Sequence, residues 1–87
     1  MSRLDEIVAA IQAAQAELDS ALSLCANASN EADEGQSIAG HVGSRSTIDG
    51  FAALKDHIEQ FQLQITAARD TGDAVIGTAD AVRTGGG

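Results

Sequence analysis

Residues 51–82 read FAALKDHIEQFQLQITAARDTGDAVIGTADAV. Taking every third and fourth position gives Phe51, Leu54, Ile58, Phe61, Ile65, Ala68, Gly72, Val75, Ala79 and Val82. Nine of these ten side chains are apolar, the exception being Gly72. That spacing places them on one stripe of a single long helix. A stripe this long on a chain of 87 residues needs another helix to cover it.

The first third of the chain carries a matching stripe. Leu4, Ile7, Ile11, Ala14, Leu18, Ala21, Cys25, Ala28 and Ala32 recur at threes and fours, and Val8 and Leu22 widen it. Ser2 with Asp5 three residues later is an N-cap followed by an acid in the first turn. No proline interrupts the chain. Asn27, Ser29, Asn30 and Asp33 weaken the later turns, because short polar side chains compete for backbone hydrogen bonds. The first helix is therefore expected over about residues 3–34. The segment GQSIAGHVGSRS, residues 35–46, holds three glycines and three serines and reads as the connector. Ser46 or Thr47 is the expected N-cap of a second helix over about 47–83, with a kink or break allowed near Gly72. Gly85–Gly87 reads as a disordered tail.

These readings give an all-α fold, a single domain over residues 1–84 made of two long antiparallel helices. A hairpin buries one seam, so pairing into a four-helix bundle is its natural completion. The core and interface are expected from Leu4, Ile7, Ile11, Leu18 and Leu22 against Phe51, Leu54, Ile58, Phe61 and Ile65. Apolar residues make up 44% of the chain, yet many are alanine and there is no Trp or Tyr. A core so thin is marginal in a chain this short, and nature supplements such cores with disulfides, metals or oligomerisation. The lone Cys25 excludes an internal disulfide and no ligand cluster suggests a metal, which leaves oligomerisation.

The net charge is −8, of which −6 falls in residues 1–34 and −2 in residues 35–87. Acid excess argues against nucleic acid, whose phosphates require Lys and Arg, and against an anionic membrane surface. No segment approaches the roughly 20 apolar residues of a membrane span. Asp5, Glu6, Gln12 and Gln15 break any resemblance to a signal peptide, so a cytoplasmic protein is expected, or one exported without a cleaved signal.

Catalytic, cofactor and metal sites are each expected to be absent. His41, in the connector, and His57, one position off the stripe, have no ligand partner at helical spacing and read as solvated. Cys25 reads as a small buried apolar residue, although a symmetric dimer would be able to set two copies face to face. Gln15 and Gly72 are the soft spots of the two stripes. The GHVGSRS glycines, residues 40–46, lack the preceding strand and the lysine of a phosphate loop.

A short acidic chain of two long helices with a Gly/Ser-bearing turn resembles the WXG100 (ESAT-6-like) superfamily at the level of architecture. It is also similar to the small helical modules that precede toxin domains in actinobacterial polymorphic toxins. The counterpart of the family's Trp-x-Gly turn is Ala39-Gly40-His41-Val42-Gly43, without the Trp. The resemblance implies a helical-hairpin dimer and a partner that is a related hairpin or a toxin domain, in the setting of type VII secretion. It carries over no functional residue. The function expected from the residues themselves is non-enzymatic helix-mediated interaction and self-assembly.

Overall fold

The structure is a computed structural model that describes residues 2–85. It is all-α: helix α1 spans Arg3–Val42 and helix α2 spans Arg45–Gly85. The two lie side by side and antiparallel in a rod of 67 × 16 × 11 Å.

The start of α1 follows the sequence. The Ser2 side chain accepts from the Asp5 backbone N–H at 3.1 Å, and the Asp5 carboxylate accepts in return from the Ser2 N–H, closing a capping box. The connector does not follow it. Residues 35–42 are helical, and the turn is reduced to Gly43 and Ser44. Gly43 sits at φ 82°, the left-handed conformation that glycine adopts without steric cost, and its N–H and that of Ser44 both reach the Ala39 carbonyl. Ser44 precedes α2, its carbonyl accepting from Ile48 N–H and its hydroxyl donating to the Thr47 hydroxyl. Ser46 and Thr47 lie inside the helix instead of capping it.

Packing explains why the weak helix formers of 27–42 are helical. Cys25, Ala32 and Ala39 are buried at seven-residue intervals along α1, so the seam continues through the polar stretch to the turn. Tertiary burial outweighs intrinsic propensity here. His41 accordingly stands in the last turn of α1. Helix α2 runs unbroken through Gly72 and Gly77 and includes Gly85. The remainder of the expected glycine tail lies outside the described residues.

The seam is narrow. Its buried members are Cys25, Ala32, Ala39, Ile65 and Ala79, and no large side chain among the described residues is fully buried. Small residues at facing positions let the backbones approach, and larger side chains interleave with glycine. The Phe51 ring lies against Gly35, where an added Cβ would fall 2.4 Å from ring carbon Cε1. The Gln15 amide lies against Gly72 and donates to the Arg69 carbonyl at 3.0 Å and to the Asp73 carboxylate at 2.8 Å. The two soft spots of the stripes are thus one interlock.

Glycines without neighbours behave oppositely. Gly40, Gly50 and Gly77 have open space where a Cβ would stand. Replacing each with Ala is expected to raise stability by up to ~1 kcal/mol, because Gly is about that much poorer than Ala within a helix. Gly35→Ala is expected to lower it by ~1–2 kcal/mol, since displacing the Phe51 ring outweighs the same gain. Thermal melts of the four variants check the contrast.

Candidate interaction face

The a-type ridge of each helix points at the other helix. On α1 it is Leu4, Ile11, Leu18, Cys25, Ala32 and Ala39, and on α2 Phe51, Ile58, Ile65, Gly72 and Ala79; every member is buried or half-buried. Each ridge has two flanks, one three residues on and one four residues on. In a two-helix pair only one flank of each can be drawn into the seam.

The polar flank is the one drawn in. On α1 it includes half-buried Val8, Gln15, Leu22, Ser29 and Gln36, and on α2 Ile48, Lys55, Gln62 and Ile76. Beside it runs a ladder of ion pairs: Asp5 with Arg83 at 2.6 Å, Asp19 with Arg69 at 2.7 Å, and Asp33 with Lys55. The acids recur every fourteen residues on α1 and the bases every fourteen on α2, so one antiparallel register satisfies all three. Asp33 beside Lys55 holds the ammonium pKa above its usual value, chiefly through their hydrogen bond. A raised folded-state pKa stabilises fully below the unfolded value of 10.5 and is lost as pH climbs through the raised one, so this rung loosens only at strongly alkaline pH.

Exposed pairs of this kind contribute ~0.2–1 kcal/mol each. Their larger role is to fix register. Reversing Arg69 to Asp is expected to cost about 1 kcal/mol, and adding Asp19→Arg to restore most of it. A double-mutant cycle in low and high salt checks this.

The other flank is apolar, and apart from half-buried Ala21 and Gly35 it is left uncovered. On α1 it carries Ile7, Ala14, Ala21, Ala28, Gly35 and Val42; on α2 it carries Leu54, Phe61, Ala68, Val75 and Val82. Neither row contains a charged residue. Because the helices are antiparallel and both rows lie three residues beyond their ridge, the rows emerge on the same side of the rod. Phe61 is 56% exposed, Val82 52%, Leu54 47% and Ile7 41%. Of the residues expected in the core, Leu4, Ile11, Leu18, Leu22, Phe51, Ile58 and Ile65 therefore line the hairpin seam, whereas Ile7, Leu54 and Phe61 stand outside it. The α2 stripe is wider than one helix can cover.

At the turn end this face opens into a mostly apolar pocket of about 350 Å³, lined by Gly35, Ile38, Ala39, Val42, Ser44, Thr47 and Phe51. Leu24 and Ile38 stand at the outer edge of the face, whereas Leu63 points away from it on the far side of α2. Cys25 is a free, buried thiol in the seam, so it does not stand on the uncovered face. No cluster of three or more His, Cys, Asp or Glu that could hold a metal ion occurs among the described residues. Among these residues no helix is long and apolar enough to cross a membrane.

The spacing of the ladder was visible in Asp5, Asp19 and Asp33 and in Lys55, Arg69 and Arg83. It identifies which flank of each ridge turns inward, a distinction that apolar periodicity alone misses. No protein-family model matches this chain, and neither a curated protein nor a solved structure does.

Proposed function

We propose that the protein is a non-enzymatic helix-mediated interaction module that self-assembles, two hairpins closing their apolar faces into a four-helix bundle. The observation that supports this most is the pair of charge-free apolar rows on one side of the rod. Uncovered apolar surface of this extent marks an interaction site. The surface area agrees: the chain of 8.8 kDa exposes 5954 Å², whereas a globular monomer of that mass exposes about 4,800 Å². The face of the rod, 67 by 16 Å, offers roughly 1,000 Å² per copy, above the ~800 Å² per partner of a standard stable interface.

Sedimentation velocity over a concentration series tests the reading. A dimer that dissociates on dilution supports it. A monomer at every concentration with full helical content refutes it.

The hairpin architecture also supports a second reading, a WXG100-like role in which a related hairpin or a toxin domain takes the same face in the setting of type VII secretion. Co-expression with an adjacently encoded helical protein, yielding a one-to-one complex in place of the homodimer, favours that reading. A homodimer that persists beside such a protein counts against it.

A further inference from the structure

We propose that the second copy docks the same way round as the first, turn beside turn, so that α1 of each hairpin lies against α2 of the other and Glu31 of each stands beside His57 of the other. This deepens the self-assembly reading and rests on it.

Two symmetric closures cover the full length of both apolar rows. A two-fold axis along the rod keeps the copies the same way round and sets α1 on α2. A two-fold axis across the rod turns the second copy end for end, and sets α1 on α1 and α2 on α2. The outer edges of the face tell these closures apart. Beside the apolar row of α1, at the positions just before the ridge residues, stand exposed Glu17, Leu24, Glu31 and Ile38. The same positions on α2 are exposed Gly50, His57, Gln64, Thr71 and Thr78, without an acid. Glu17 and Glu31 lie on either side of the middle of Arg3–Val42. End for end, Glu17 of each copy therefore falls within about 5 Å of the height of Glu31 of the other, at 1.5 Å per residue. Like charges then meet twice along that edge, which opposes the closure.

The same-way closure brings equal heights together, and the ion pairs supply the heights: Asp33 is level with Lys55 and Asp19 with Arg69. Two residues along from each pair, Glu31 is level with His57 and Glu17 with Thr71. Each glutamate is thus offered a side-chain donor by the other copy, an imidazole or a hydroxyl. The apolar rows agree. Ala14, Ala28 and Gly35 meet the second copy's Val75, Phe61 and Leu54, and Ile7 meets Val82, each to within about one residue, ~1.5 Å, in height. Ala21 with Ala68 is the one thin level. Small side chains therefore meet large ones along both contacts, which symmetry makes identical, so a single helix spacing fills both. End for end, alanines meet alanines along α1 while Leu54, Phe61 and Val75 all fall in the α2 contact, and the two contacts require different spacings.

Two readouts test this. His41→Cys in a Cys25→Ala background places a spin label on an exposed helical site off the apolar rows. Same-way docking holds the two labels within about 40 Å, the diagonal of four helices spaced about 8–10 Å plus the label arms. End-for-end docking parts them by roughly 55 Å along the rod, at 1.5 Å per residue. Pulsed electron–electron double resonance, on a sample shown by light scattering to be dimeric, reads which holds. In the parent chain, His57→Glu sets a glutamate beside Glu31 on both edges. It is expected to raise the dimer dissociation constant roughly 2- to 30-fold, and Glu31→Gln in the same chain to reverse most of that. A short distance, with that weakening and its reversal, supports the proposal. A long distance in a dimer overturns the orientation and leaves self-assembly standing. A dimer that His57→Glu leaves as tight as before, or that Glu31→Gln fails to restore, overturns the Glu31–His57 contact. A parent chain that is monomeric at every concentration, with full helical content, overturns both the docking and the self-assembly reading.

Discussion

Replacing Ile65 with Asp unfolds both helices together. Ile65 is 6% exposed and, among the described residues, is the only large aliphatic side chain that is buried, the others being Cys25 and alanines. Burying such a side chain contributes about 1.5–3 kcal/mol. The variant loses that and must also desolvate a carboxylate, or expose it by parting the helices at mid-seam. A combined cost above ~4 kcal/mol exceeds or consumes the stability of most chains this small. The helical signal in far-ultraviolet circular dichroism is expected to be lost at 25 °C, while Ile65→Val costs only ~0.5–1.5 kcal/mol. Ile58→Asp acts in the same direction, because Ile58 is also on the ridge that faces α1. A folded Ile65→Asp variant with a melting temperature a few degrees lower would show that the seam does not run where it is described.

Replacing Phe61 with Asp has a different signature, because Phe61 stands on the uncovered face. The substitution leaves the seam and the ion-pair ladder intact and, in the proposed dimer, places a charge in each copy's contact surface. A symmetric dimer contains the residue twice. Losing about 1.5–3 kcal/mol of apolar burial at each copy weakens the dimer by roughly 10²- to 10⁴-fold, at tenfold per 1.4 kcal/mol. The variant is expected to run as a monomer at concentrations where the parent chain is dimeric, with a melting temperature that no longer depends on concentration. Leu63→Asp is the matched control. Leu63 is exposed on the far side of α2, so the assembly is expected to be unaffected. Equal weakening by both variants would locate the contact surface elsewhere.

The contrast between Phe61 and Ile65 also shows how far the sequence could be read. Both fall on the stripe that begins at Phe51, and periodicity alone treats them alike. The stripe correctly identifies two long helices and the ridge residues Ile58 and Ile65. It does not say that the stripe is two faces wide, because side chains three and four residues beyond a ridge are equally plausible partners until the second helix is placed. The signal that separates them is electrostatic: Asp5, Asp19 and Asp33 pair with Lys55, Arg69 and Arg83 in one register and lie beside the flank that turns inward.

The connector is shorter than its glycines suggest for a related reason. Gly35 and Gly40 signal a loop by propensity, yet Gly35 is where the Phe51 ring packs and Ala39 beside Gly40 is buried. Only Gly43 serves the turn that its type suggests. A glycine required by the helix opposite looks, in one dimension, like a glycine required by a bend. The face itself was legible as an excess of apolar residues over what two helices can bury.

The central claim, that a second copy covers the apolar face, is tested most directly by mass in solution. Multi-angle light scattering on the parent chain across a dilution series from hundreds of micromolar to below one micromolar is expected to give twice 8.8 kDa at the upper end, falling toward 8.8 kDa on dilution. A mass of 8.8 kDa throughout, with undiminished helicity, would contradict it.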